Sequence, residues 1–178
     1  MCVAVDGVPR SARLDLLPLR AGHADEMARV LSDPALHAFI GGRPETLDEL
    51  RARYRRVLAG SPDPAVSWLT WVLRLRDEGC LTGYVQATLS PGAAGPEAEI
   101  AWVVGTPWQG RGLAGEAARA LTGWLDSRGV RTVVAHIHPD HRASASVARA
   151  CGLAPTGHWQ DGERRWQRDV PDGVPETA

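Results

Sequence analysis

Residues 105–115 read Gly-Thr-Pro-Trp-Gln-Gly-Arg-Gly-Leu-Ala-Gly, and they constrain this chain more than any other stretch. Residues 97–104 before them read as a strand, and after them Ala117, Leu121, Trp124 and Leu125 recur on one face of a helix predicted over 113–127. The segment is therefore a strand-to-helix connection in which Gly110, Gly112 and Gly115 keep side chains away from the helix start. The first N–H groups of a helix have no partner within it, and the macrodipole places about half a positive charge there. Such a start attracts anions, and Gln109 and Arg111 can add donors at its rim.

Three readings compete for these glycines. Gly110-x-Gly112-x-x-Gly115 matches the dinucleotide-binding fingerprint, with Asp140 at a suitable distance for a ribose-binding acid. That fold needs a series of further strand–helix–strand units after the motif, and too little chain remains for them. A P-loop would need a Lys-Ser or Lys-Thr pair after the glycines, which the sequence lacks. On spacing alone, an ordinary strand-to-helix turn explains the glycines as well as a ligand site does.

The remaining elements set the context. Residues 13–20 read as a first strand and 24–31 as a short helix stopped by Asp33-Pro34. Thr46-Leu47-Asp48-Glu49 is a capping box opening a helix that runs to Gly60, with Leu47, Leu50, Tyr54, Val57 and Leu58 on one face. Residues 67–76 and 81–89 form two antiparallel strands joined at Asp77-Glu78-Gly79, and 91–96 is a loop. A strand over 131–138 and a helix over 142–151, closed by Gly152, precede a hairpin around Asp161-Gly162. Residues 1–12 read as a flexible N-terminus, 13–170 as one domain and 171–178 as a frayed tail.

Charge and cysteine usage narrow the function classes. Twenty basic and twenty-one acidic side chains leave a net charge of −1, which offers no field for nucleic acid or anionic membrane. No apolar run approaches the roughly 18 residues of a membrane span. Cys2, Cys80 and Cys151 are odd in number and contain no CxxC pair, so they suit a reducing cytoplasm better than a disulfide framework or a zinc site. The partners expected are small molecules or a peptide end.

Gln109-Gly110-Arg111-Gly112-Leu113-Ala114 resembles the Q/R-x-x-G-x-G/A signature of the GCN5-related N-acetyltransferase (GNAT) superfamily, and Pro107-Trp108 and the preceding strand sit where that motif expects them. The resemblance spans residues 13–168. With the early Leu-Pro-Leu-Arg strand and Ala98-Glu99-Ile100-Ala101-Trp102, it is strongest to the branch holding ribosomal-protein N-terminal acetyltransferases and many small-molecule acetyltransferases. It implies a mixed α/β fold with a mostly antiparallel central sheet and about four helices, acetyl-CoA as acyl donor, an amine acceptor and no metal. Dimers are common in this branch.

In such enzymes the strand before the loop splays from its neighbour and pairs with the pantetheine arm. Carried over, this gives Trp102, Val103 and Val104 to pantetheine and thioester, and Gln109, Gly110, Arg111, Gly112, Leu113, Ala114 and Gly115 to the pyrophosphate. Glu99 matches the position of a catalytic glutamate, with Glu97 on the same face as its reserve. The family's later Asn-x-x-Ser is here His141 and Ser144, and its tyrosine is replaced by Ala148. Ser144 is left as the candidate hydrogen-bond donor to the departing sulfur, with His141 beside the pantetheine. These departures keep a second reading open, a noncatalytic CoA-binding or partner-binding module on the same fold.

Two further patterns invite functional readings. His136-x-His138, with Asp140 and His141, has donor types that suit a metal, but no HExxH glutamate accompanies them and the implied reaction has no use for one. Trp68, Trp71, Trp159 and Trp166 could wall an acceptor pocket, although tryptophans on strands more often fill cores.

Overall fold

Apolar residues at every second position face the core from the first two strands of this protein, whose computed structural model describes residues 7–93 and 95–169. In β1 (Leu14–Pro18), Leu14 and Leu16 point into the same core as Trp71, Leu73 and Leu75 of β2 (Ser67–Leu75). The next strands are β3 (Cys80–Gly92), β4 (Gly95–Val104), β5 (Thr132–Ile137), β6 (Ala154–Gln160) and β7 (Glu163–Asp169). They form one sheet in the order β1-β2-β3-β4-β5-β7-β6. Every neighbouring pair is antiparallel except β4 and β5, which are parallel.

The helices divide between the two faces of the sheet. α4 (Leu113–Asp126) crosses from β4 to β5 and buries Ala117, Leu121, Trp124 and Leu125, the stripe predicted from the sequence, against Val85, Ile100 and Val133. α5 (Arg142–Ala150) lies beside it and contributes Ala148 to the same core. α1 (Ala24–Val30) and α3 (Leu47–Ala59) cover the other face, where Met27, Leu50 and Tyr54 meet Val72 and Leu81. The capping box of α3 is present: Thr46 Oγ1 accepts from the Glu49 N–H at 3.3 Å, and Glu49 Oε2 accepts from the Thr46 N–H at 2.8 Å.

Two features depart from the sequence reading. Residues 91–96 do not form a free loop, because Pro91 pairs with Pro96 and Gly92 with Gly95 at the end of the β3–β4 ladder. Prolines cannot donate to a ladder, but the end of a hairpin tolerates a missing N–H. The chain also forms a one-turn helix, α2 (His37–Ile40), with Gly41 after it at φ 75°. The expectations for residues 1–6 and 170–178 lie outside the described residues.

Candidate active site

β4 and β5 part company at Glu99. Their parallel pairing comprises Glu97 with Thr132, Ala98 with Val133 and Glu99 with Val134, and ends there. Beyond this point β4 runs on to Val104 and β5 to Ile137 without pairing, so a wedge opens between them. A cavity of about 390 Å3 occupies the region of this wedge. Trp102, Val103 and Val104 line it from the strand, Gly110 and residues 112–115 from the turn and first helical residues, and His141 and Ser144 from the start of α5. Gln109 lines it too, its amide donating to the Val104 carbonyl at 3.0 Å.

The turn has the backbone that its glycines allow. Gly112 is the residue before α4 and sits in the left-handed region at φ 76°, as does Gly110 at φ 73°. This conformation costs an L-residue roughly 1–2 kcal/mol. Leu113, Ala114 and Gly115 then begin the helix, and its first backbone bond back to the cap comes from the Glu116 N–H to the Gly112 carbonyl at 3.1 Å. Their N–H groups have no helical acceptor and stand at the edge of the cavity.

Two glutamates outside the predicted set brace the turn. Glu78, in the β2–β3 turn, accepts from Trp108 Nε1 at 3.0 Å and from Arg111 Nη1 at 2.8 Å. Those two donors hold its carboxyl below the ordinary range despite the opposing effect of burial. Arg111 is thereby drawn away from the cavity, and it is the one residue of the predicted cofactor set that does not line it. Glu116, in the first turn of α4, accepts from the Ser11 hydroxyl, from the Arg13 N–H at 2.6 Å and from Arg13 Nε at 2.7 Å. Burial pushes its carboxyl up, but these donors outweigh burial and lower it overall.

Glu99 lies on the other face of the sheet. Ala98, Ile100 and Val104 point into the α4 core, so alternation sends Glu97 and Glu99 the opposite way. Glu99 Oε1 is 3.1 Å from His136 Nδ1, an arrangement suited to an Nδ1–H donating to the carboxylate; the glutamate side chain is 54% exposed and that of the histidine 10%. Glu97 is tied to Arg165 at 3.0 Å. Glu99 thus stands at the vertex of the wedge, on the face opposite α4, and does not line the cavity itself.

Sequence reasoning missed the residues that close the wedge from above. Phe39 of α2 lines the cavity with Ala35 and Leu36, and its ring stacks on His141. The signal was Leu36, Phe39 and Ile40 at helical spacing between Pro34 and Gly41-Gly42. Burial, with the neighbouring His138 second, lowers the His141 pKa.

The histidines and tryptophans do not assemble into further sites. His136 faces Glu99, whereas His138 Nδ1 accepts from the Asp140 N–H at 3.2 Å. Among the described residues no group of three or more His, Cys, Asp or Glu is placed to hold a metal ion. Trp71 and Trp166 are buried in the α4 core, Trp159 is 57% exposed on β6, and Trp68 lies apart from both on β2. These four therefore form no common pocket.

The parallel pair that splays at Glu99 and the glycine-initiated helix beside it are the arrangement that the sequence resemblance implies. Residues 13–154 match the acetyltransferase (GNAT) domain family, and the chain belongs to it. It is an acyltransferase, of a family that uses acetyl-CoA. Similar solved structures include a RimL ribosomal L7/L12 alpha-N-protein acetyltransferase in complex with coenzyme A, at TM-score 0.75 and 18% identity over 92% of this chain and 97% of that one. Another is the Salmonella typhimurium acetyltransferase that modifies the N-terminal serine of ribosomal protein L7/L12, at 0.74 and 18% over 92% and 99%. A third is a chimera of the spermidine N-acetyltransferase SpeG from Vibrio cholerae with hSSAT, at 0.69 and 18% over 89% and 96%. These likenesses are of fold, and no curated protein sequence matches the chain. No helix among the described residues is long and apolar enough to cross a membrane.

Proposed function

We propose that the protein transfers the acetyl group of acetyl-CoA to a primary amine of a small molecule or a peptide N-terminus, by direct attack within a ternary complex. One observation carries this reading: the free N–H groups at the start of α4, the edge of β4 and the start of α5 border a single cavity. The open backbone at Gly110, where an added Cβ would meet nothing within 4 Å, suits the close approach of a pyrophosphate. Trp102, Val103 and Val104 suit an extended pantetheine arm, which can complete a strand-like ladder.

Each chemical demand then has a candidate residue. The neutral amine attacks the thioester carbonyl carbon, the C–S bond breaks as the amide forms, and the amine's proton must leave. Glu99 accepts that proton, through a water that reaches its exposed carboxylate, while His136 holds the carboxylate in position. Ser144 donates a hydrogen bond to the departing thiolate. The three cysteines, odd in number and without a CxxC pair, suit a reducing cytoplasm.

The test is calorimetry with acetyl-CoA, followed by a thiol-release assay against a panel of amines that includes spermidine and peptides beginning with serine. Micromolar binding and acceleration by at least one amine are expected. No binding at millimolar acetyl-CoA rejects the reading. Tight binding without turnover by any amine identifies a noncatalytic CoA-binding module, the role that Ala148 in place of a tyrosine favours.

A further inference from the structure

Past the turn, one arginine stands apart from its neighbours. Gly115 and Arg119 lie one turn apart on the same side of α4, and Arg119 Nη1 is 3.4 Å from where a Cβ on Gly115 would stand. Several other cations nearby are engaged. Arg13 is bound to Glu116 and to the Arg111 carbonyl, Arg111 to Glu78 and Arg168 to Asp126. The Arg149 guanidinium lies 5.2 Å from the centre of the Trp166 ring. Arg142 falls on the side of α5 opposite Ser144 and Val147. Arg119 is exposed, and among the described residues no carboxylate lies within ion-pair distance of it. Beyond it opens a hollow of about 600 Å3 also lined by Arg10 and Arg128, so the local field is positive.

The direction of the donor decides what this cation meets, an inference that rests on the CoA reading above. With the pyrophosphate at the start of α4 and the acyl arm along β4, the adenosine end leaves the other way, between α4 and α5. Ala114 and Gly115 line one side of that exit, and Ala143 and Val147 the other. We infer that Arg119 binds the 3′-phosphomonoester on the adenosine ribose, so that the protein distinguishes CoA from dephospho-CoA. A guanidinium pairs bidentately with a phosphate dianion, and this one gives up no internal salt bridge to do so.

Calorimetry with CoA and dephospho-CoA on the wild type, Arg119→Ala and Arg119→Lys tests the assignment. The wild type is expected to bind CoA about tenfold more tightly than dephospho-CoA. Arg119→Ala should bind the two alike, with dephospho-CoA affinity unchanged, which also reports an intact fold. Arg119→Lys should keep part of the preference. A wild type without preference, or an Arg119→Ala protein that retains it, overturns the inference. Equal weakening of both ligands by Arg119→Ala also overturns it, because that would put Arg119 on the pyrophosphate. A wild type that binds neither ligand overturns the CoA reading itself, and the two failures are thereby distinguished.

Discussion

The rings of Phe39 and His141 lie parallel, with centroids 4.3 Å apart and planes within 6°, and so join α2 to the start of α5 across the mouth of the wedge. The contact bridges elements on opposite sides of the cavity. An aromatic pair contributes roughly 0.5–1.5 kcal/mol beyond area burial. Phe39→Ala should therefore lower the melting temperature only slightly. Its larger effect is expected on water exclusion: amine-independent hydrolysis of acetyl-CoA should rise severalfold, measured as slow thiol release.

Gly112, just before α4, and Gly123, within it, are predicted to behave oppositely. Gly112→Ala forces a side chain into the left-handed region and should cost roughly 1–2 kcal/mol and weaken acetyl-CoA binding. Gly123 is in the helix interior, with nothing within 4 Å of an added Cβ. Gly123→Ala should add about 0.5–1 kcal/mol without touching binding. Urea unfolding and calorimetry on the two variants separate the effects.

Gly83 differs from both in kind. A Cβ there would lie 2.0 Å from the Val103 carbonyl oxygen, so β3 and β4 could not keep their present register. Gly83→Ala is expected to unfold the protein or reduce its stability by more than about 3 kcal/mol, read by circular dichroism during thermal melting.

The proposed chemistry separates from binding in two substitutions. Glu99→Gln should lower kcat by about 100-fold or more and leave the acetyl-CoA Kd unchanged, since Glu99 is on the face away from the cavity. Ser144→Ala should lower kcat by about tenfold. Equal losses in acetyl-CoA affinity would refute both roles.

The start of α3 should respond to acid. Arg43 first, then the Thr46 N–H and hydroxyl, hold the Glu49 carboxyl at about 2 rather than 4.5. A carboxyl lowered in the folded state binds fewer protons there than in the unfolded chain. Its contribution is full above pH 4.5 and fades as the pH falls toward 2. The stability gap between wild type and Glu49→Gln should therefore shrink between about pH 7 and about pH 3 in urea titrations.

Local patterns were readable in the sequence because local physics determines them. The α3 capping box, the buried stripe of α4 and the Asp161-Gly162 hairpin each depend on residues a few positions apart. So does the glycine turn, which is why its residues come together at the cavity. What depends on tertiary contact was not readable. Arg111 has the same spacing whether it faces a ligand or Glu78, 33 residues away. His136 reads as part of a histidine cluster until β4 brings Glu99 against it. The four tryptophans obey strand alternation, yet alternation alone does not say which sheet face a core helix covers.

The short pairing of β4 with β5 has a thermodynamic consequence. An extended ligand arm lodged in the wedge would take over hydrogen bonds that neighbouring strands elsewhere give one another, and so behave as an interchangeable piece of the sheet. Ligand concentration would then set part of the protein's stability by mass action, adding about 2.7 kcal/mol at a hundred times Kd. Slowed amide exchange along residues 100–104 and 135–137 would be its direct record.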